Sequence, residues 1–111
     1  MVSQEKIQEL QQLEQHLQSY AQQKRAYQTQ EMELDSALEA LKTTSESYKI
    51  IGNIMVASPA EKLQGELSEK QALTKKRIES LEKHEKTARE RYQKIHEELS
   101  EMHKKEQENK E

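Results

Sequence analysis

The residues with the chemistry to act as catalysts or metal ligands are first of all histidines, and their spacing does not assemble a site. His96 begins like a zinc-protease helix motif, but the second ligand should stand where the chain has Ser100. His96 and His103 lie two helical turns apart, too far to share one metal ion easily. His16 and His84 are isolated among Gln and Glu. A surface histidine is therefore the better interpretation at each of these positions.

Carboxylates and glycines give no catalytic site either. Acidic neighbours such as Glu97 and Glu98 fall on exposed faces of predicted helices, where no concave surface desolvates them for acid–base work. Gly52 and Gly65 are too far apart for a phosphate-binding loop. The absence of Cys removes disulfides, thiolate zinc sites and a cysteine nucleophile. We expect a protein that is not an enzyme, with no metal and no cofactor.

The composition predicts long helices and no globular core. Of 111 residues, 32% are hydrophobic and 35% charged, and there is neither Phe nor Trp. The chain has only two Gly and one Pro and is rich in Glu, Lys, Gln and Leu, which are good helix formers. No apolar run approaches the length of a membrane span or a signal-peptide core. The default compartment is therefore the cytosol, and we expect a cytoplasmic protein.

A heptad repeat organises the first half of the chain. Its seam recurs in alternate steps of three and four residues without a slip, and only Lys24, Glu31 and Ser45 interrupt its apolar character. Such a strict repeat predicts a coiled-coil helix. The seam consists of Leu10, Leu13, Leu17, Tyr20, Lys24, Tyr27, Glu31, Leu34, Leu38, Leu41, Ser45 and Tyr48. Between the seam positions the helix carries many glutamines, a pattern more typical of a solvated face than of an aggregation-prone segment.

The segment from Tyr48 to Ala57 interrupts the helical pattern and predicts a β-hairpin. Two runs of β-forming residues flank Gly52-Asn53, and Gly at the first central position supplies the positive φ of a type II′ turn. This turn pairs Ile51 with Ile54 and Tyr48 with Ala57, so that both faces of the hairpin are largely apolar. A lone two-stranded hairpin is marginal in water, so we expect other subunits to cover it.

A second helix follows the hairpin. Ser58 is a plausible N-cap, Pro59 suits the first helical position, and Glu61 can close a capping box. Gly65 has two equally plausible explanations, close approach to another backbone or a tolerated surface glycine that costs about 1 kcal/mol. The seam of this helix consists of Leu67, Thr74, Ile78, Leu81, Glu85, Ala88, Tyr92, Ile95, Leu99 and Met102.

These elements predict an all-α-dominated fold, an antiparallel two-helix coiled-coil arm with one β-hairpin at the bend. The segments are the N-terminal helix 1–47, the hairpin 48–57 and the C-terminal helix 58–111 with a polar tail, forming a single domain. A two-helix arm buries only one narrow seam, so an isolated copy is marginal in stability. We therefore expect the hairpin to drive assembly, and both chain ends to meet at a distal tip.

The order of elements resembles the β-type subunit of prefoldin. The resemblance covers essentially the whole chain, and its specific part is the Tyr48-Lys49 pair, the Gly52-Asn53 turn and the apolar second strand between two heptad helices. It implies an ATP-independent holdase chaperone of the cytosol, in which two α and four β subunits join their hairpins into a β-barrel. Coiled-coil tips would capture unfolded proteins and pass them to a group II chaperonin.

Two residue sets follow from this resemblance. The oligomerisation set is Tyr48, Ile50, Ile51, Ile54, Met55 and Val56. The client-binding set is Val2, Ile7, Leu10, Ile95, Leu99 and Met102. Within the second set, Leu10, Ile95 and Leu99 also complete the coiled-coil seam, which we expect to be their main role. The polar tail, residues 103–111, is a further candidate for contact with the chaperonin. Nothing in its sequence distinguishes any one residue as the contact.

Two other functions remain open from the sequence. The chain can be a structural coiled-coil tether or scaffold, with the hairpin as a mere linker. The second helix is also basic in its middle, from Lys70 to Lys94, which raises the possibility of nucleic-acid binding. Acidic residues are interleaved there, and the net charge of the chain is −3. Electrostatic matching of the acidic first helix to the basic second helix, or to neighbouring subunits, is therefore the favoured explanation.

Overall fold

The structure, a computed structural model, describes residues 2–109 as two long helices separated by a β-hairpin. Helix α1 spans Val2–Leu41, strand β1 Glu46–Ile51, strand β2 Ile54–Pro59 and helix α2 Ala60–Asn109. The two strands form one antiparallel sheet. The predicted helix, hairpin and helix are therefore confirmed. No helix in the described residues is long and apolar enough to cross a membrane.

Helix α1 ends at Leu41, earlier than the predicted boundary at residue 47. The hydroxyl of Thr43 donates to the Ala40 carbonyl at 3.2 Å, and the hydroxyl of Thr44 accepts from the Glu46 amide at 3.2 Å. Threonine side chains that bond to nearby backbone compete with the helical hydrogen-bond pattern. Helix α1 therefore ends just before these threonines, and residues 42–45 form the connection to β1.

The hairpin is longer than predicted, and this changes how α2 begins. Ser58 and Pro59 belong to β2, so the prediction of Ser58 as N-cap and Pro59 as first helical residue is wrong. The Ser47 hydroxyl donates to the Ser58 carbonyl at 2.7 Å, and the Ala60 amide donates to the Ser45 carbonyl at 3.3 Å. These long-range bonds hold residues 58 and 59 in strand geometry. The helix therefore begins after them, despite the local capping signal.

The turn and the register of the hairpin agree with the sequence prediction. Ile51 pairs with Ile54 and Tyr48 with Ala57, and pairing continues to Glu46 opposite Pro59. Gly52 has φ 61°, whereas Asn53 does not have a positive φ. This combination is that of a type II′ turn, since type I′ requires positive φ at both central residues.

Each helix contributes to two compact units, which are described separately. The hairpin unit contains residues 24–79, and its buried residues include Leu34, Leu41, Ala60, Thr74 and Ile78. Within it, the guanidinium of Arg77 lies over the Tyr27 ring at 5.5 Å, Gln71 donates to Asp35, and Gln64 donates to the Leu41 carbonyl at 3.0 Å. As the residue number increases along α1, the residue number of the contact partner on α2 decreases. The two helical segments of this unit are therefore antiparallel.

The terminal unit contains the described residues of 1–23 and 80–111, and it is antiparallel as well. Its pairs are Lys6 with Glu98 at 2.6 Å, Glu9 with Arg91 at 2.8 Å and Glu14 with the Tyr92 hydroxyl at 2.9 Å. The hydrogen bond from Arg91 lowers the pKa of Glu9, and that from Lys6 lowers the pKa of Glu98. Leu81, Glu85, Ala88 and Ile95 are the buried residues here.

The heptad seams are confirmed by burial. Every predicted seam position of α1 from Leu10 to Leu41 is half-buried or buried, and so is every predicted seam position of α2 from Leu67 to Met102. Ser45 and Tyr48, the last two predicted positions of the first seam, are exposed because they lie beyond the end of α1. Polar seam residues are covered like their apolar neighbours, and Glu85 pairs with Arg89 at 3.7 Å.

Gly65 lies on an exposed part of α2. A Cβ built there meets no atom within 4 Å, so nothing within the described chain requires a glycine at this position.

Ile95 is expected to carry much of the stability of the terminal unit, because it is 0% exposed. Ile95→Ala should lower the free energy of unfolding by about 2–5 kcal/mol through lost burial and a cavity. Leu73→Ala is the matched control, since Leu73 lies on the same helix and is 49% exposed. This substitution should change the free energy of unfolding by less than about 1 kcal/mol. Thermal and urea unfolding followed by circular dichroism measure both variants. Equal effects of the two substitutions would contradict the assigned seam.

Candidate assembly and client surfaces

The hairpin presents its large apolar side chains to solvent. All six residues predicted for oligomerisation are exposed, with Ile50 at 71% and Val56, the most covered, at 43%. Side chains of this kind usually bury most of their area in a folded protein. The exposed set is Tyr48, Ile50, Ile51, Ile54, Met55 and Val56.

These side chains are divided between the two faces of the hairpin. The observed register places Ile51, Ile54 and Val56 on one face together with Lys49, and Tyr48, Ile50 and Met55 on the other with Ala57. Neither face is covered by the helices of the hairpin unit, as the exposures show. A surface that is apolar on both sides is typical of a segment that packs between other elements.

The base of the hairpin is anchored, in contrast to its turn. Lys49 forms an ion pair with Glu66 of α2 at 2.9 Å, and this hydrogen bond lowers the pKa of Glu66. Ser47 is buried and donates to the opposite strand. Ile51 and Ile54, next to the turn, are 57% and 66% exposed. The hairpin is therefore held at one end and presented at the other.

The backbone of the hairpin is open as well. Within residues 2–109 the sheet contains only β1 and β2, so each strand has one edge without a neighbouring strand. An open edge offers a row of amide and carbonyl groups to a further strand. Apolar faces and open edges together make the hairpin suitable for strand addition by another chain.

The residues predicted to bind clients fall in the terminal unit and differ in accessibility. Ile7 is 45% exposed, whereas Leu10, Leu99 and Met102 are half-buried and Ile95 is fully buried. Val2 lies in α1, but its side chain is outside the described residues. The structure therefore brings the described members of the set into one unit, with Ile7 the most accessible and Ile95 in the interior.

Sequence reasoning missed two exposed apolar residues and the individual pairs between the helices. Met32 is 71% exposed in the hairpin unit, and the only available signal was its position one residue after the seam residue Glu31. Leu73 is 49% exposed and lies outside the predicted seam of α2. The charge distribution predicted that the arms match electrostatically, and the Glu9–Arg91 pair is of this kind.

Three histidines, His16, His84 and His96, lie beside tyrosine rings, whereas His103 contacts Gln107. His84 stacks on Tyr20 with ring centroids 5.7 Å apart, and His96 stacks on Tyr92 at 6.3 Å. Within residues 2–109 no three His, Cys, Asp or Glu side chains are grouped closely enough to hold a metal ion. The imidazole rings of His84 and His96 therefore pack against two tyrosines of the coiled-coil seam.

Comparisons with known proteins agree with one another. A family model described as "Prefoldin subunit" matches residues 4–106. The prefoldin subunit beta of Methanospirillum hungatei is 33% identical over 95 residues, covering 83% of this chain and 79% of that protein. The prefoldin subunit beta of Archaeoglobus fulgidus is 31% identical over 99 residues, covering 86% and 85%.

A solved structure shows the same fold. The crystal structure of the prefoldin beta subunit from Thermococcus strain KS-1 superposes with a TM-score of 0.83 at 26% sequence identity, covering 90% of each chain. Two long helices and one two-stranded hairpin are thus the fold of a prefoldin β subunit. Prefoldin subunits are components of hetero-oligomeric, chaperone-type complexes. The chain described here belongs to the prefoldin subunit family and is of the β type.

Proposed function

We propose that this protein is a subunit of an ATP-independent holdase, which captures unfolded proteins and transfers them to a group II chaperonin in the cytoplasm. The proposed complex contains two α-type and four β-type subunits, joined by their hairpins into a β-barrel. The observation that supports the assembly best is the exposure of all six large apolar residues on the two faces of the hairpin. Membership of the prefoldin family supports the chaperone role.

The exposure of apolar side chains of the hairpin to water is unfavourable, and assembly through the hairpin would remove this cost in free energy. Burying an exposed Ile, Met or Val side chain contributes about 1.5–3 kcal/mol. Five such side chains and Tyr48 on one short hairpin give a large driving force, and the open edges add backbone hydrogen bonds to a neighbour. The Lys49–Glu66 ion pair ties the middle of β1 to α2, which reduces the entropy lost on docking.

Client capture is proposed for the terminal unit. Ile7 is the most accessible of its described apolar residues, and half-buried Met102 has a flexible, polarizable side chain that adapts to varied partners. Such small apolar contacts are individually weak, so an unfolded chain would be held by several subunits at once. Weak, multivalent holding permits release to a chaperonin without nucleotide hydrolysis.

The contacts of the basic residues favour this function over nucleic-acid binding. Arg77 lies over Tyr27, and Arg91 forms two hydrogen bonds with Glu9. Arg89 pairs with Glu85. Since these guanidinium groups are engaged within the chain, less positive charge is available to phosphates.

The proposed assembly predicts that charge on the hairpin separates the subunits. In Ile54→Asp/Val56→Asp, two exposed apolar residues of one face become carboxylates that cannot be buried without a large desolvation cost. The complex with an α-type partner should then be lost, with the apparent Kd raised at least about 100-fold. Sedimentation velocity or light scattering measures the mass.

The matched control for this experiment is Met32→Asp/Leu73→Asp, which charges two exposed apolar residues outside the hairpin. It should retain the mass of the wild-type complex. A structural tether with a passive linker would keep its oligomeric state in both variants, and that result would refute the proposed assembly.

The proposed client surface predicts a loss of holdase activity with assembly intact. The wild-type complex should suppress aggregation of a chemically denatured enzyme without nucleotide. For the complex that contains Ile7→Gln/Met102→Gln, the concentration of complex that suppresses half of the aggregation should rise about three- to tenfold, because apolar contact area is removed. Leu73→Gln is the control and should leave it unchanged. Equal activity of all three complexes would exclude Ile7 and Met102 as client contacts.

A further inference from the structure

A second line of residues with the heptad period runs along the N-terminal part of α1. It consists only of glutamines, which recur in alternate steps of four and three residues, so they form one continuous line on the helix surface. At 1.5 Å per residue the line is about 27 Å long. This glutamine stripe contains Gln4, Gln8, Gln11, Gln15, Gln18 and Gln22.

The stripe is exposed and has no partner within the described residues. All six side chains are exposed, and none of them makes a hydrogen bond or ion pair with another part of the described chain. The nearby Gln23, which is not in the stripe, bonds to Ser19 at 3.0 Å. The stripe therefore offers free amide groups along its whole length.

The absence of charge distinguishes the stripe from the other helix. In a chain that is 35% charged, no Lys, Arg, Asp or Glu interrupts these positions. The corresponding outward positions of α2 in the terminal unit are mostly charged, and they carry Lys83, Lys86, Glu90, Gln93, Glu97 and Ser100. Glu14, which lies beside Gln11 and Gln18, is engaged by the Tyr92 hydroxyl. Charged residues elsewhere in the molecule already provide solubility, so solubility does not explain why the six positions of this line are all neutral amides.

The chemistry of the stripe matches the polypeptide backbone. A glutamine amide offers two N–H donors and a carbonyl acceptor, the same groups that every peptide bond presents. A non-native chain exposes these groups whatever its sequence, whereas its side-chain charges vary. Neutral amides can therefore bond to an extended chain without selecting or repelling it by charge.

The stripe is continuous with the proposed client surface. Ile7, which is 45% exposed, lies three residues after Gln4 and four before Gln11, so the two amides flank it on the helix surface. An extended segment that packs a side chain on Ile7 is thereby brought within reach of both glutamines. This continuity identifies the occupant as a client chain.

We propose that the glutamine stripe binds the backbone of extended, non-native polypeptide held by the chaperone, an inference that rests on the proposed holdase function. Each amide contact is weak, because water competes for the same groups. Several contacts in a row would give useful binding that is nevertheless easily released. Since no charges take part, this contribution should depend little on salt concentration.

The test uses the complex assembled with an α-type partner and a fluorescently labelled, reduced and alkylated protein that stays unfolded. Gln8→Ala/Gln11→Ala/Gln15→Ala should weaken binding about five- to tenfold in fluorescence anisotropy, at low and at high salt. Alanine favours helix, so α1 should remain intact by circular dichroism. The control is Gln28→Ala/Gln93→Ala/Gln107→Ala, which removes three exposed glutamines outside the stripe and should bind like wild type.

A second variant, Gln8→Glu/Gln11→Glu/Gln15→Glu, keeps the side-chain length and the acceptors but removes the donors. It should also weaken binding, and the loss should now depend on salt. Wild-type affinity in the alanine variant would overturn the proposal. A reduced mass of that variant would assign the stripe to subunit contact and overturn it as well. Failure of the wild-type complex to bind the unfolded protein would instead refute the holdase function itself.

Discussion

The apolar area of this chain is concentrated in two places, and only one of them has a partner within the described chain. The seam between α1 and α2 is covered in both units, from Leu10 to Leu41 on one helix and from Leu67 to Met102 on the other. The hairpin is bare on both faces. Because apolar area left in water is unfavourable, the hairpin is the part of the molecule from which the proposed assembly follows.

Polar contacts give the helices their alignment without adding much stability. The pairs of the terminal unit, such as Glu9 with Arg91, lie at the surface, where solvent weakens ion pairs. Their value is in orientation, since opposite charges meet only when the helices run antiparallel with the observed stagger. The Lys49–Glu66 pair has a comparable role between the middle of β1 and α2.

Much of the fold could be predicted because the apolar residues of the sequence recur with two clear periods. The period of seven residues predicted the seams, and the period of two around Gly52-Asn53 predicted the strand register and the turn. The ends of the elements could not be predicted in the same way. Ser58-Pro59-Ala60-Glu61 is a valid local helix start, but bonds from Ser47 and to Ser45 hold this segment in the hairpin. Those partners are distant in sequence and outside any local pattern.

The exposure of individual residues in the candidate surfaces could not be predicted, for a related reason. Membership in a seam or a hairpin can be derived from residue spacing, but exposure depends on what packs alongside. Ile95 and Ile7 were assigned to one set, yet the first is fully buried and the second is 45% exposed. Met32 shows the converse, since nothing in the spacing indicated that such a large side chain would be left in solvent.

In the proposed complex, β1 and β2 complete their sheet with strands of neighbouring subunits. Amide hydrogen exchange of residues 46–59, compared between the isolated chain and the complex with an α-type partner, tests it most directly. We expect amides on the outer edges of both strands to exchange rapidly in the isolated chain and at least about 100-fold more slowly in the complex. Equal exchange at these edges in both states would contradict it.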